Sequence, residues 1–273
     1  MLLSGASDGE VRLWSLQTRR PVATLNGHHG SACLTVQALA KARLLTQGRD
    51  GAVRIWDACE GLRSTPLLEL PSECYNFCQC ACSQALLCSG LAFTDQSYYV
   101  GGDDAPGGVA HGETHDEDGA AAVDRAAAAT DAPQAAGAAE PGTAPLLAMP
   151  SEDAQELRLW DLRQRSAARK LLPSEAHGRA GMCMCVRFVG PDDGLLLSGW
   201  EDGSLQAFDL RGRGEATAAA SRRLHSEPLL CLEVDRAGTT ALTGSADCTV
   251  SRVVLGDGLS VQPMAVASNI DSE

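Results

Sequence analysis

Residues 44–57, with the sequence LLTQGRDGAVRIWD, predict two short strands joined by a tight turn. The second strand alternates, so Val53 and Ile55 face one side of a sheet. Arg54 and Trp56 face the other side. The central Asp-Gly pair favours the turn, because glycine tolerates positive φ and aspartate can hydrogen-bond its own turn. The stretch is therefore a β-hairpin.

The hairpin recurs along the chain, and five copies are recognisable. Four of them place a hydroxyl, a turn aspartate and a large apolar residue at matching offsets: Ser4, Asp8 and Trp14; Thr46, Asp50 and Trp56; Ser198, Asp202 and Phe208; Thr243, Asp247 and Val253. Asp8 and Asp50 are 42 residues apart, as are Trp14 and Trp56. Such a period indicates a repeat architecture with one four-stranded unit per copy.

The third copy, within residues 144–162, is degraded. It ends in Trp160 and Asp161, but its turn is two residues longer and lacks the Asp-Gly pair. Trp56 and Trp160 are 104 residues apart, roughly 60 more than one repeat period. The excess indicates an insertion at residues 93–144.

The insertion consists mainly of Ala, Gly, Asp and Pro, and it is acidic. Residues 101–145 carry nine acids and one base, which supply −8 of the net charge of −13. A segment of this composition buries too little apolar surface to offset its ordering entropy. We therefore expect a long disordered acidic loop. The rest of the chain is only mildly acidic, which gives no case for nucleic-acid or membrane binding.

A histidine precedes three of the hydroxyl positions. His28 and His225 each stand 18 residues before their threonine, and His177 stands 21 residues before Ser198. A Gly-His pair, a strand, and then a hairpin ending in Trp-Asp resembles the WD40 repeat, one blade of a β-propeller.

The resemblance implies a structural tetrad in the second blade. It consists of His28, Thr46, Asp50 and Trp56, polar groups that satisfy one another when half-buried. Phe208 and Val253 replace the tryptophan in the last two blades. We expect weaker networks there, because the indole donor is lost.

The resemblance also bears on completeness. The chain opens at the second strand of a blade, and about five of the usual seven blades are visible, so we expect an all-β but incomplete WD40 propeller. The predicted organisation is blades at residues 1–92, the insertion at 93–144, further blades at 145–266, and a tail at 267–273.

The composition suits an intracellular location. The sequence contains no run of 18 apolar residues, which a membrane span would need. The start of the chain lacks the features of a signal peptide. Eleven cysteines without a signal peptide are expected to stay reduced. We therefore expect the cytoplasm and nucleus.

Three features invite a chemical interpretation, and each has a simpler one. Cys74, Cys78, Cys80 and Cys82 match no common zinc spacing, so packing near the propeller centre is favoured. The HGETH motif at 111–115 is not the HExxH order and lies in the insertion. No phosphate-binding loop, nucleophile elbow or paired catalytic carboxylate is present. We expect no enzymatic activity, no cofactor, no metal site and no small-molecule substrate.

A closer resemblance covers most of the chain outside the insertion. The run GEVRLWSLQTRRPVATLNGHHG, the QGRDG turn, MCMCVRFV and SGWEDGSLQAFDL, in that order, look like the G-protein-β-subunit-like protein 1 family, called ASTRA-associated protein 1 in fungi. The resemblance implies a non-catalytic scaffold. Such a scaffold helps the Tel2–Tti1–Tti2 co-chaperone to assemble and stabilise phosphatidylinositol-3-kinase-related kinases.

Other functions for the same fold stay open. The alternatives are a substrate receptor of a ubiquitin ligase, a chromatin-associated adaptor, and a G-protein β-type signalling subunit. A β subunit would carry an N-terminal coiled-coil helix, and the sequence shows none.

Overall fold

A computed structural model describes most of the chain outside the predicted insertion. The described residues are 1–59, 64–72, 77–89, 144–153, 155–176, 178–212, 214–256 and 261–267, the last stretch for its backbone only. The predicted insertion lies outside these ranges apart from Ala144, as does the predicted tail apart from Ala267.

The first two blades are antiparallel sheets. The first consists of β1 (Leu2–Gly5), β2 (Glu10–Ser15) and β3 (Arg20–Asn26). The second consists of β4 (Cys33–Leu39), β5 (Arg43–Gly48), β6 (Ala52–Asp57) and β7 (Leu68–Pro71). Gly51 has a φ of 77°, which is why the β5–β6 turn needs glycine.

The third blade contains the one helix of the described residues. Its elements are β8 (Ala81–Cys82), α1 (Gln84–Ser89), β9 (Leu146–Pro150), β10 (Leu157–Asp161) and β11 (Ser166–Leu172). Ser83 Oγ accepts a hydrogen bond from the Leu86 amide at 3.2 Å, as an N-cap does. The buried Asp193 carboxylate accepts the Gln84 and Ala85 amides at 2.7 and 3.0 Å. The described part of the chain is thus nearly, not wholly, β.

The last two blades complete the described structure. The fourth consists of β12 (Cys183–Val189), β13 (Leu195–Trp200), β14 (Ser204–Asp209) and β16 (Ala220–Arg223), with β15 (Ala216–Thr217) between the last two. The fifth consists of β17 (Leu229–Val234), β18 (Thr240–Ser245), β19 (Val250–Leu255) and β20 (Val261–Ala267).

Strand β15 leaves its own blade and pairs in parallel with β11 of the third. Arg169 holds this crossing in place, donating to the carbonyl oxygens of Leu210, Gly212 and Gly214 at 2.6–3.0 Å. The outer edge of β11 is thereby covered over part of its length, which limits unwanted strand pairing.

Apolar clusters fill the spaces between successive blades. Leu45, Val53 and Ile55 of the second blade pack with Leu147 and Trp160 of the third. The same kind of junction joins the first blade to the second, the third to the fourth and the fourth to the fifth. The described stretches contain no helix of the length and apolarity that crossing a membrane requires.

Candidate protein-interaction site

Four side chains of the second blade form a continuous hydrogen-bonded network. His28 Nδ1 lies 3.0 Å from Asp50 Oδ1, and His28 Nε2 lies 2.9 Å from Thr46 Oγ1. Trp56 Nε1 donates to the same Thr46 oxygen at 2.9 Å. The structure thus brings together the residues His28, Thr46, Asp50 and Trp56, and three of them are almost completely buried.

The donors and acceptors fix the direction of this network. The indole of Trp56 can only donate, so Thr46 Oγ1 accepts from it, and the Asp50 carboxylate can only accept, so His28 Nδ1 donates to Asp50. With the ring proton placed on Nδ1, His28 Nε2 accepts the hydrogen bond of the Thr46 hydroxyl. Each group is satisfied, and the loop before β4 is tied to the β5–β6 turn.

Arg54 extends the network in a way that the tetrad alone does not predict. Arg54 Nη1 donates to Asp50 Oδ2 at 2.5 Å and to the Gly27 carbonyl at 3.1 Å. Its Nε and Nη2 pair with the two carboxylate oxygens of Glu69 on β7 at 3.0 and 3.1 Å. The buried guanidinium is therefore neutralised by two carboxylates, as an interior charge requires.

The network perturbs the ionisation of Asp50. Burial alone raises the pKa of this carboxyl, but hydrogen bonds from His28 and Arg54 lower it more. The resulting pKa is about 2, below the ordinary 3.8. Asp50 is therefore ionised in the folded blade near neutral pH.

The fifth blade contains a related network without an indole. His225 Nε2 lies 2.9 Å from Thr243 Oγ1, and His225 Nδ1 lies 3.3 Å from Asp247 Oδ2. Thr249 Oγ1 lies 2.9 Å from the same Nδ1 and donates to Asp247 Oδ1 at 2.6 Å. Thr249 thus supplies a second partner for the histidine, a role that the repeat offsets do not reveal. Val253, at the tryptophan position, is buried.

In the fourth blade a tryptophan on β13 contacts the hydroxyl of the repeat. Trp200 Nε1 donates to Ser198 Oγ at 2.7 Å, and the indole is completely buried. The strand register aligns Trp200 with Gly48 of the second blade, where a Cβ atom would collide with the His28 ring. Trp200 therefore fills the space that His28 fills in the second blade. His177 lies outside the described residues.

This finding corrects the expectation that Phe208 leaves the fourth blade without an indole donor. Phe208 is completely buried in the cluster between the third and fourth blades, while Trp200 provides the donor from the neighbouring strand. The turn aspartate keeps a local role, because Asp202 Oδ1 accepts the Ser204 amide at 2.9 Å.

The first blade retains part of the pattern. Trp14 Nε1 donates to Ser4 Oγ at 2.8 Å, and Asp8 Oδ1 accepts the Glu10 amide at 3.0 Å. The indole–hydroxyl contact of the second blade is therefore also present in the first.

The third blade has lost the pattern. Its register places Met149 where the second blade has Thr46, and Trp160 Nε1 is buried without a hydrogen-bond partner among the described residues. Asp161 only caps the next turn, accepting the Arg163 amide at 2.9 Å. A buried N–H without a partner destabilises the fold. The third blade therefore has the weakest hydrogen-bond network among the described residues.

The networks position one end of the blades, which we call the Asp-turn face. It consists of the four turns that carry Asp8, Asp50, Asp202 and Asp247 together with the segments that enter β4, β8, β12 and β17. The Ala6 carbonyl accepts the Cys33 amide at 3.0 Å, which shows that turns and entering segments meet at this end. Phe77 is 70% exposed here, with the Arg49 guanidinium 4.9 Å from its ring centroid.

A cavity of about 420 Å³ lies between the inner strands β4, β8, β12 and β17. Its lining includes Gln37, Gln79 and an ion pair between Arg187 and Glu233, whose Nη2 and Oε1 atoms are 2.8 Å apart. An exposed aromatic on the Asp-turn face and, separately, a polar cavity between the inner strands are features that peptides and loops can recognise.

The three cysteines in and just before β8 are buried among neighbouring side chains. Cys78 Sγ lies 3.8 Å from Cys183 Sγ across the third and fourth blades, and this contact together with burial raises the pKa of Cys78. Burial raises the pKa of Cys80 to about 12, so both thiols are neutral and poor ligands. No group of metal-binding side chains occurs among the described residues. Cys74 and the HGETH motif lie outside them.

The three cysteines in and just before β8 do not share one face, although a spacing of two residues would place them on one face of a regular strand. Cys80 and Cys82 pack between the second and third blades, whereas Cys78 packs between the third and fourth. The alternation fails because only Ala81 and Cys82 are in a strand.

Comparisons with known proteins agree with this architecture. The WD domain, G-beta repeat family model matches residues 19–57. The chain superposes on the β-propeller domain of Myceliophteria thermophila Cps50 (Swd1) with a TM-score of 0.63, at 14% identity, covering 98% of this chain and 68% of that one. The prediction of a WD40-type β-propeller fold is confirmed, with one short helix added.

Sequence relatives extend along most of the chain. It is 27% identical over 266 residues to guanine nucleotide-binding protein subunit beta-like protein 1 of Mus musculus, covering 96% of this chain and 63% of the mouse protein. It is 26% identical over 254 residues to ASTRA-associated protein 1 of Verticillium alfalfae, covering 92% of this chain and 54% of that protein. The chain thus spans less than two thirds of these relatives. It carries WD40 repeats on β-propeller blades, and its homologues along most of its length include proteins named ASTRA-associated protein 1 and guanine nucleotide-binding protein subunit beta-like protein 1.

Proposed function

We propose that the chain is a non-catalytic WD40 scaffold of the cytoplasm and nucleus. Its partner would be the Tel2–Tti1–Tti2 co-chaperone, and its role would be to aid the assembly and stability of phosphatidylinositol-3-kinase-related kinases. The observation that carries the proposal is the alignment with ASTRA-associated protein 1 over 92% of the chain.

The chemistry of the networks supports a scaffold rather than an enzyme. His28 and His225 are the described histidines that contact a carboxylate, and both are buried with each ring nitrogen engaged. Neither ring is available to a substrate proton, which general acid–base catalysis requires. These histidines hold turns in place instead.

The Asp-turn face supports a protein partner. Phe77 and Arg49 present an aromatic ring and a cation at its surface, two residue types that are enriched at protein interfaces. The buried networks beneath fix the neighbouring turns, so little ordering entropy is lost on binding.

The test is co-purification with reconstituted Tel2–Tti1–Tti2. We expect the tagged 273-residue chain to retain all three components. Phe77→Ala is expected to weaken retention about tenfold, equivalent to about 1.4 kcal/mol. Leu16→Ala is the matched control, because Leu16 is 62% exposed but lies in the β2–β3 turn, at the opposite end of its blade.

The outcomes separate the alternatives. A folded chain that retains none of the three components at micromolar concentration contradicts the proposal. Recovery from cells of a ubiquitin ligase or a chromatin complex in their place favours the adaptor functions instead. Equal weakening by Phe77→Ala and Leu16→Ala contradicts the assignment of the binding face.

A further inference from the structure

Five hydroxyl residues of the described chain stand three positions after an arginine. Protein kinases of the basophilic class select substrates by this spacing, because acidic side chains in their substrate groove bind the guanidinium. The five residues are Ser15, Thr46, Ser166, Ser226 and Thr239. Their environments in the structure decide which of them a kinase can reach.

Four of the five hydroxyls are unsuited to modification in the folded chain. Thr46 is completely buried in the second-blade network. The hydroxyls of Ser15 and Thr239 form hydrogen bonds within their own turns. Ser166 is held in the ladder between β10 and β11, where it pairs with the strand residue opposite. Ser226 is the remaining candidate.

Ser226 is exposed in the segment that joins β16 to β17. Its amide donates to Asp247 Oδ2 at 3.1 Å, but its hydroxyl has no partner in the part of the chain that the structure describes. Arg222 and Arg223 precede it on β16, the outer strand of the fourth blade, and both are exposed. The acceptor hydroxyl and the basic residues that a kinase would contact are therefore all at the surface.

The backbone between the arginines and the serine is tied through one carbonyl oxygen. The amides of Leu224 and His225 share the carbonyl oxygen of Gly203 as acceptor, at 3.1 and 3.2 Å. The His225 ring is held by the fifth-blade network, which lacks an indole. Segments held by so few contacts open locally without global unfolding. Such an opening extends residues 222–226 for a kinase.

We propose that Ser226 is a phosphorylation site of a basophilic protein kinase and that its phosphate weakens the fifth-blade network. In the reaction, Ser226 Oγ bonds to the γ-phosphorus of ATP as the bond from that phosphorus to the bridging oxygen breaks. ADP leaves, and the hydroxyl proton passes through the kinase's catalytic carboxylate to solvent. The proposal does not rest on the co-chaperone function, because the reaction needs only the chain, the kinase and ATP.

The position of the phosphate explains the weakening. Phosphorylation adds a charge of about −1.5 to −2 to a residue whose amide already donates to Asp247 Oδ2. Asp247 also lies 3.3 Å from His225 Nδ1 and accepts the Thr249 hydroxyl at 2.6 Å. The exposed Glu227 adjoins the site. Like charges that are brought together repel, so the Asp247 carboxylate is driven from the contacts that hold the β18–β19 turn to the entry of β17.

The first experiment treats the full chain with ATP and activated calcium/calmodulin-dependent protein kinase II, which selects an arginine three residues before its acceptor. Tandem mass spectrometry then locates the phosphate. We expect Ser226 to be the main site. Arg223→Ala should slow its modification about tenfold, because a charge-assisted contact with the kinase is lost.

Two alanine variants test the assignment of the site. Ser226→Ala should abolish the main product, and Ser166→Ala is the matched control that should leave it unchanged. Ser166 has the same arginine spacing and is also exposed, so it tests whether the strand ladder excludes a residue. Preferred modification of Ser166, or a folded chain in which Ser226 is not modified, overturns the assignment.

The second experiment tests the effect on the network by thermal unfolding. Ser226→Glu and Ser226→Gln introduce side chains of similar volume that differ in charge, so Ser226→Glu should unfold about 2–4 °C lower. Adding Asp247→Asn to both variants should remove most of this gap, because the neutral amide no longer repels the added carboxylate. Equal midpoints for Ser226→Glu and Ser226→Gln, or an unchanged gap in the presence of Asp247→Asn, overturns the proposed weakening.

Discussion

The second and fifth blades have a histidine, a threonine and an aspartate at the same offsets, but the side chains that contact these residues differ. In the second blade, Trp56 and Arg54 join the network, and Glu69 completes the charge balance. In the fifth, Val253 replaces the indole and Ser251 stands at the aligned position of Arg54. Thr249 shares the histidine with the aspartate.

This difference shows that the side chains around a repeat network, rather than its offsets, determine what the network must balance. In the second blade the buried Arg54 guanidinium joins the network and must be matched by carboxylates. In the fifth blade Ser251 stands at the Arg54 position and adds no charge, and Thr249 offers the histidine a second partner. Identical offsets in sequence therefore do not imply equal stabilisation.

The largest expected effect is that of Asp50→Ala. It removes the acceptor of His28 Nδ1–H and one of the two carboxylates that face Arg54. We expect a loss of about 3 kcal/mol, because both groups are buried. Urea denaturation followed by intrinsic fluorescence measures it.

Asp247→Ala is the matched control, with an expected loss of about 1 kcal/mol. His225 keeps Thr249 Oγ1 as a partner after the aspartate is removed, and no arginine is left unpaired at the aligned position, Ser251. Equal losses at the two sites would contradict the difference drawn between the blades.

Trp56→Phe and Trp160→Phe remove the same volume and separate packing from hydrogen bonding. Trp56→Phe also breaks the bond to Thr46, so we expect a loss of about 2–3 kcal/mol. Trp160→Phe removes an indole N–H that has no partner among the described residues, so the loss should be about 1 kcal/mol smaller. Denaturation midpoints of the two variants give the difference directly. A larger loss for Trp160→Phe would show that its N–H is satisfied in solution.

The hairpins and their contacts could be predicted because they depend on local sequence. Asp-Gly turns, strand alternation and a fixed spacing between hydroxyl and indole identify the second blade from its own residues. The contact of Arg54 with Glu69 could not be predicted in the same way, because it needs the register of β7 against β6. That register depends on where β7 begins, which local sequence does not fix.

Other features could not be predicted because they depend on tertiary context. Trp200 fills the space that His28 fills in the second blade. It can do so because the fourth blade has this tryptophan at the position that aligns with Gly48. The helix α1 is capped by Asp193, which is more than 100 residues away. The parallel pairing of β15 with β11 depends on Arg169 reaching a loop of the next blade.

Acid should weaken the second blade in a narrow pH range. The folded-state pKa of Asp50 is about 2 and the ordinary value is 3.8, so its ionised form stabilises the fold above pH 4. That stabilisation is lost as pH falls from about 4 towards 2, because the unfolded state then binds the proton that the folded state does not, which favours unfolding. With an allowance for the partial exposure of the carboxylate, it amounts to about 1–2 kcal/mol. Wild type and Asp50→Asn, compared by urea denaturation between pH 5 and 2, should therefore converge in stability as pH falls. A constant difference would contradict the lowered pKa.

The smallest expected effect comes from a comparison of two glutamates, Glu69 in β7 of the second blade and Glu233 in β17 of the fifth. Glu69 pairs with the buried Arg54 and is 27% exposed, whereas Glu233 pairs with Arg187 and is 71% exposed. Glu69→Gln should cost about 0.5–1 kcal/mol, because Arg54 loses half of its charge compensation and keeps Asp50. Glu233→Gln should change stability by less than about 0.5 kcal/mol, since solvent screens an exposed pair. Repeating both measurements in 1 M salt sharpens the distinction, because salt removes what remains of an exposed pair and affects a buried one far less. If the Glu233 variant lost more stability than the Glu69 variant, burial would not be what distinguishes these two ion pairs.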